Sequence, residues 1–298
     1  MTSGLGKVIL LGEHAVVYGH PALAGAIDRR VSCRVTGSSS PGLRLSCLSW
    51  GLDVAAGDEH PVAAAIRLIA DELGFEANAT LRIDTTLPPA AGLGSSAALC
   101  VAMTRAMAEA KAAMLSDDEL AGIANRGEAS FHDNPSGVDV ALALSGGIGL
   151  YQRERGLERF AAAPFELAVG LTGVTRNTGD MVRSVASHRE AEPAATDQIL
   201  GRLGELSTLG HEALGQGQLP SLGPLFEEAQ GLLASLGLSC PETDELIALA
   251  KTADASAKLT GAGGGGAVIA LGPSPSEIIR VWRQAGYDAF VATVGARP

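Results

Sequence analysis

A glycine- and serine-rich segment, PPAAGLGSSAAL at residues 88–99, constrains the fold most strongly. Residues 80–86 alternate as a half-buried strand does, and residues 97–114 predict a long helix. The N–H groups at a helix N-terminus attract anions, and glycine lets the backbone approach them closely. A lone GSS is typical of a serine-capped helix after a turn. The full strand–loop–helix pattern instead favours a phosphate-binding loop.

A second glycine cluster lies near the end of the chain, in KLTGAGGGGAVIAL at residues 258–271. Gly261, Gly263 and Gly266 match GxGxxG formally, but strand-like residues follow where a dinucleotide site requires a helix. Four consecutive glycines are entropically costly. We therefore interpret this segment as backbone packed closely against a ligand or against the first loop. The alternative is a flexible hairpin tip.

Charged residues flank a short N-terminal strand, residues 7–11, in GKVILLGEHAVVYG. Lys7 stands at the start of this strand, and Glu13 and His14 follow it after a glycine. Two carboxylates further along, Glu128 and Asp139, also stand out, because phosphoryl transfer needs one for magnesium and one near the acceptor hydroxyl. The alternatives are solvated surface charges for the first group and a cap on the next segment for Asp139.

The pattern of elements predicts an α+β protein, with a boundary that divides the chain into residues 1–160 and 161–298. Helices are predicted at 61–73, at 117–125 behind a Ser116–Glu119 capping box, within 180–237, at 241–254 and at 275–286. Further strands are predicted at 31–36, 166–172, 256–260, 267–271 and 288–294.

Composition argues against several classes of partner. The net charge is −11 and no Lys/Arg block occurs, so neither nucleic acid nor an anionic membrane is an expected partner. No apolar run has the length of a membrane helix, and no signal peptide is evident, which predicts a cytoplasmic protein. The four scattered cysteines are expected to be reduced, buried thiols.

The three motifs, in this order, resemble those of the galactokinase, homoserine kinase, mevalonate kinase and phosphomevalonate kinase (GHMP) superfamily. GEHAVVYG followed by PALA, NPSGVD and TRNTGDMV resemble the members that phosphorylate mevalonate. The resemblance implies a two-lobed fold, with an N-terminal α/β lobe like ribosomal protein S5 domain 2, a C-terminal ferredoxin-like lobe, and the active site in the cleft. It also implies a possible homodimer.

The implied activity is ATP-dependent phosphorylation of the C5 hydroxyl of mevalonate to 5-phosphomevalonate, a step of isoprenoid biosynthesis. One alternative is another small-molecule kinase of the superfamily, acting on phosphomevalonate, a sugar or a hydroxy acid. The other is a nucleotide-binding protein without catalysis, which should have lost Lys7, Asp139 or the loop serines. All of these residues are present.

The resemblance also assigns roles to residues. Asp139 would act as base or orienter of the acceptor hydroxyl, with Lys7 beside it, and Ser96 and Glu128 would hold Mg²⁺. The expected mevalonate contacts are Glu13, His14, Arg176 and Thr178. The expected ATP contacts are Pro88, Ala91, Gly92, Leu93, Gly94, Ser95, Ser96, Ala97, Gly261, Gly263 and Gly264.

Overall fold

The computed structural model describes residues 1–131, 137–175 and 178–297. The strands are β1 (Thr2–Leu11), β2 (Ala22–Gly37), β3 (Leu43–Cys47), β4 (Leu52–Ala55), β5 (Ala79–Thr85), β6 (Ile148–Gln152), β7 (Gly156–Arg159), β8 (Phe165–Leu171), β9 (Ser256–Thr260), β10 (Ala267–Leu271) and β11 (Ala289–Val294). The helices are α1 (Pro61–Leu73), α2 (Ser95–Ala110), α3 (Asp117–Glu128), α4 (Val138–Ser145), α5 (Thr178–Ala191), α6 (Pro193–Gly215), α7 (Leu222–Ser235), α8 (Pro241–Lys251) and α9 (Pro275–Gln284). This mixture confirms the α+β class.

One curled sheet joins these strands in the order β4-β3-β5-β2-β11-β8-β10-β9, with β1 and β6 paired to β2, and β7 to β6. The long strand β2 is therefore its hub. Strand β11 pairs with β8 and, at Val294 opposite Ile27, also with β2. Strands from both ends of the chain thus share a sheet. The predicted boundary at residue 160 falls between β7 and β8 and stays a prediction.

Helix α2 lies in the middle of the core, against β1 and β2. Most of its residues are buried, which is why its sequence is apolar on nearly every face. Its small side chains let β1 approach closely. A Cβ at Gly4 would lie 2.3 Å from the carbonyl oxygen of Ala98. Helix and strand therefore meet backbone to backbone, which holds the start of α2 in a fixed place relative to β1.

Several local predictions are confirmed. Helix α1 has the predicted bounds, and α3 begins with the expected capping box: the Glu119 amide donates to Ser116 Oγ at 3.3 Å, while the Ser116 amide donates to the Glu119 carboxylate at 2.8 Å. Helix α2 ends earlier than predicted, at Ala110, because Ala112 takes a left-handed φ of 53°. None of the described helices has the length and apolarity of a membrane span.

Candidate active site

A cavity of about 620 Å³ opens where the three sequence motifs meet. Its wall includes β1 and the turn after it, the loop before α2, the end of α3, the first residues of α4 and α5, and the turn after β9. The predicted site residues on this wall are Lys7, His14, Gly92, Gly94, Ser95, Ser96, Glu128, Asp139, Thr178 and Gly261. Residues 240 or more positions apart are thereby brought to one site.

Lys7 and Asp139 form an ion pair in this wall. Lys7 Nζ lies 3.2 Å from Asp139 Oδ1; the lysine side chain is almost completely buried, and the aspartate is partly exposed. Asp139 lies in the first turn of α4, behind Gly137 at a φ of 88°. Asp139 can lie both at the start of a helix and beside Lys7, because the first turn of α4 faces the cavity.

Glu128 is a buried carboxylate at the end of α3. It accepts a hydrogen bond from Ser96 Oγ at 2.8 Å and a weaker one from the Cys100 thiol. Burial, reinforced by the negative charge of Asp139, raises the pKa of Glu128 to about 8, although the hydrogen bond from Ser96 and the charge of Lys7 act in the opposite direction. A nearby cation would favour the ionised carboxylate.

Ser96 and Glu128, with Asp139 close enough to influence the Glu128 pKa, offer only hard oxygen donors. Within the described ranges, no group of three or more His, Cys, Asp or Glu side chains could hold a metal ion. Magnesium is usually bound by one or two carboxylates, with substrate phosphates and water supplying the remaining oxygens. The donors present therefore fit magnesium that arrives with a nucleotide.

The loop before α2 leaves the start of this helix free of side-chain caps. Gly94 is its N-cap residue, at a φ of 72°, and no described side chain caps the first turn. A Cβ at Gly94 would lie 2.9 Å from Lys7 Cγ, and the Lys7 amide donates to the Leu93 carbonyl at 3.0 Å. Glycine is required here because the buried lysine lies directly against the loop.

The two glycine-rich segments pack against each other. A Cβ at Gly261 would lie 3.3 Å from the carbonyl oxygen of Gly92, and one at Gly266 would lie 3.2 Å from that of Ala91. This confirms the predicted packing of the second segment against the first loop. The main chains touch here, so a side chain on either segment would separate the loops that line the cavity.

The turn after β1 is joined to the second glycine segment. His14 Nε2 lies 2.9 Å from the carbonyl oxygen of Ala262. A carbonyl only accepts, so Nε2 carries the hydrogen in this contact. Burial lowers the pKa of His14, more than that hydrogen bond raises it. The neutral ring therefore has Nδ1 as an acceptor, on a residue that lines the cavity.

Glu13 is completely buried and forms an ion pair with Lys258 of β9, so it is not part of the cavity wall. Burial raises its pKa, and the charge of Lys258 offsets part of this effect. No role for Lys258 was predicted from the sequence. The position of Lys258 just before the glycine run could have marked it as a candidate site residue. Its partner could not be found in the same way, because Glu13 lies 245 positions away.

Other expected residues lie around the cavity instead of on its wall. Ala91, Leu93 and Ala97 are buried in the core, and Pro88, Gly263 and Gly264 also lie off the wall. Their expected ATP contacts stay predictions. Arg176 lies outside the described residues. The wall also has an apolar part that was not predicted from the sequence, formed by Trp50, Leu52, Val62, Leu99 and Phe131.

Matches to two family models define the class of protein to which this chain belongs. The family model "GHMP kinases N terminal domain" matches residues 60–147, and "GHMP kinases C terminal" matches residues 211–290. The first match contains the loop before α2, Glu128 and Asp139, and the second contains Lys258 and the glycine segment after it. The fold and cavity are thus those of a GHMP kinase.

Individual relatives are more specific. The chain is 32% identical to the mevalonate kinase of Pyrococcus abyssi over 99% of this chain and 95% of that protein. It is 36% identical to the mevalonate kinase of Aeropyrum pernix over 90% of this chain and 87% of that protein. The crystal structure of L. major mevalonate kinase in complex with R-mevalonate is similar with a TM-score of 0.89 and 29% identity, covering 99% of this chain and 95% of that one. The chain belongs to the mevalonate kinase family.

Proposed function

We propose that this enzyme transfers the γ-phosphoryl group of ATP to the C5 hydroxyl of mevalonate, giving 5-phosphomevalonate and ADP. The observation that carries the proposal is the Lys7–Asp139 pair, 3.2 Å apart in the cavity wall beside an uncapped helix start. The mevalonate kinase relatives and the similar structure with bound R-mevalonate support this acceptor. They do not favour another GHMP kinase activity.

The cavity offers different surfaces to the two ends of ATP. The N-terminus of α2 suits the triphosphate, because its first N–H groups and its dipole attract anions. The apolar wall around Trp50 and Leu99 suits the nucleobase, which gains from leaving water. This arrangement would direct the γ-phosphate towards Lys7 and Asp139.

Asp139 and Lys7 have complementary parts in the reaction. Asp139 Oδ would accept the proton of the C5 hydroxyl as that oxygen forms its bond to the γ-phosphorus and the bond to the ADP oxygen breaks. Lys7 Nζ would stabilise the charge on the attacking oxygen and on the transferring group. Little covalent chemistry is required, so positioning and fixed charges supply most of the catalysis.

Ser96 Oγ and the Glu128 carboxylate would hold Mg²⁺. The bound ion would neutralise phosphate charge and orient the nucleotide. Glu128 would have to lose its proton before it could serve as a ligand, because burial keeps its pKa near 8 in the free protein. Binding of the metal and release of this proton should therefore be linked.

The acceptor would lie against the turn after β1 and the start of α5. His14 Nδ1, an acceptor in the neutral ring, suits a hydroxyl donor such as the C3 hydroxyl of mevalonate. Thr178, the first residue of α5, offers a hydroxyl to the mevalonate carboxylate from the same wall. Arg176 stays a predicted partner of that carboxylate.

A coupled assay of ADP release tests the function directly. The enzyme with Mg²⁺ and ATP is given mevalonate, 5-phosphomevalonate, galactose or no acceptor, and the product is identified by ³¹P NMR. We expect release with mevalonate and a new phosphomonoester signal. Release with another acceptor but not with mevalonate would reject the assignment.

Two further expectations accompany this function. A cytoplasmic location is proposed because all four cysteines are free, buried thiols, as is typical of reducing compartments. A homodimer is proposed on the resemblance alone. Sedimentation of the purified protein tests the second expectation.

A further inference from the structure

Glu13 and Lys258 form a buried ion pair behind the cavity wall. Both side chains have no exposed surface. Lys258 Nζ contacts Glu13 Oε1, donates to the carbonyl of Leu259 at 2.6 Å, and lies 5.8 Å from the centre of the Phe226 ring. The pair joins the turn after β1 to the strand that leads into the second glycine segment.

Two other contacts also join β9 and the loop after it to β1 and the turn after β1. The Ile9 amide donates to Thr260 Oγ1, which donates back to the Ile9 carbonyl, both at 3.0 Å. His14 Nε2 contacts the Ala262 carbonyl. Strand β9 and the loop after it thus hold β1 at Ile9, and hold the turn after β1 at Glu13 and His14.

This turn needs such support, because its backbone is strained. His14 has a φ of 60°, a left-handed conformation that a non-glycine residue keeps only when its surroundings enforce it. Among the described residues, the His14 ring bonds to a loop carbonyl, whereas its neighbour Glu13 is fixed to a residue of the regular strand β9. Loss of that anchor would let His14 leave the cavity wall.

A stability role alone explains the pair poorly. Desolvating two charges offsets most of their attraction, so apolar residues of similar size often replace buried pairs without loss of stability. Here one oxygen, Glu13 Oε2, is buried and has no hydrogen-bond partner among the described residues. The expected benefit of the pair is therefore geometric.

We propose that Lys258 is a positioning residue for the acceptor: through Glu13 it holds the turn that presents His14 to mevalonate. The proposal rests on the proposed function. Glu13 acts from behind the wall and does not touch the substrate, whereas the resemblance alone had suggested a direct contact. Because the pair is neutral as a whole, removing both members leaves the net charge near Lys7 unchanged.

The test compares Lys258→Met, Glu13→Met and the double variant, which replaces the pair by apolar side chains of similar length. We expect the double variant to melt close to the wild type, with a KM for mevalonate raised about tenfold, the effect of one misplaced hydrogen bond. The KM for ATP should not change. Each single variant should raise the KM for mevalonate as much as the double variant does, because every one of these changes breaks the same Glu13–Lys258 linkage.

A matched control loosens the same strand at a hydrogen bond to helix α7. Gln230 Oε1 accepts a hydrogen bond from the Leu259 amide at 2.9 Å, and its other hydrogen bond among the described residues goes to Ser239. Gln230→Met should lower the melting temperature and leave the KM for mevalonate unchanged. An equal rise in that KM would mean that any weakening of β9 affects the site, and it would overturn the proposal.

Glu13→Gln provides a second variant in case the Met variants do not fold. Its amide oxygen can still accept from Lys258, so the KM for mevalonate should stay within about threefold of the wild type. A rise as large as that expected for the double variant would assign Glu13 a direct, charge-dependent contact and overturn the proposal. Wild-type enzyme that does not phosphorylate mevalonate would instead refute the proposed function.

Discussion

Replacing Glu128 with glutamine should remove a large part of the pH dependence of folding in the nucleotide-free enzyme. The carboxyl is almost completely buried, and burial together with Asp139 raises its pKa from 4.5 to about 8. The folded state therefore binds this proton more tightly than the unfolded state does. The resulting stability is fully present below the ordinary pKa and is lost as the pH rises through 8.

The size of the effect follows from this rise in pKa. At about 1.4 kcal/mol for each pKa unit, the limits of low and high pH differ by roughly 5 kcal/mol, of which roughly 4 kcal/mol falls between about pH 5 and about pH 9. Glutamine has nearly the same shape and can accept from Ser96, but it does not titrate. Any constant difference between the two proteins cancels when two pH values are compared.

Urea unfolding at about pH 5, 7 and 9, without nucleotide or magnesium, measures this effect. The free energy of unfolding of Glu128→Gln, minus that of the wild type, should increase by roughly 4 kcal/mol from the lowest pH to the highest. Asp118→Asn, an exposed change on the same helix, should show no such trend. Parallel pH profiles for Glu128→Gln and wild type would refute the perturbed carboxyl and, with it, the proton release expected on metal binding.

Three other changes probe the rest of the site. Asp139→Asn should lower kcat at least about 100-fold with little change in the KM for ATP, because it removes the proton acceptor; steady-state kinetics that show near-normal turnover would exclude that role. Gly261→Ala, whose Cβ would lie 3.3 Å from the Gly92 carbonyl at a φ of 90°, should cost about 1–3 kcal/mol and raise the KM for ATP. Gly237, at a φ of 73°, has open space around it, so Gly237→Ala is the control: it should cost backbone strain without a clash and leave the KM for ATP unchanged. Ser96→Ala should raise the Mg²⁺ concentration for half-maximal activity several-fold, measured by magnesium titration at fixed ATP; an unchanged titration would remove Ser96 from the metal site.

Local signals were sufficient for much of the fold. Helix α1 and the capping box of α3 follow from residues within one turn of each other, so the sequence could predict their bounds. The short strands β3 and β4 and the helix α4 were missed. Each has only four to eight residues, which is too short for a clear periodicity, and β3 joins the main sheet through the later strand β5.

The candidate site also has parts that could be predicted from the sequence and parts that could not. The bare helix start and the packing of the two glycine segments could be predicted, because a run of glycines is unfavourable unless something must lie close to it. The Glu13–Lys258 pair could not, since nothing local marks two residues 245 positions apart as partners. Asp139 was predicted either to cap the next segment or to take part in catalysis; Gly137 is instead the N-cap of α4, and Asp139 lies in the first turn beside Lys7.

A crystal structure with a non-hydrolysable ATP analogue, Mg²⁺ and mevalonate would show directly where the triphosphate and the acceptor bind. We expect phosphate oxygens on the first N–H groups of α2, and the C5 hydroxyl within hydrogen-bond distance of Asp139, between Asp139 and the γ-phosphate. A triphosphate bound away from the start of α2, or an acceptor hydroxyl out of reach of both Asp139 and Lys7, would contradict this expectation.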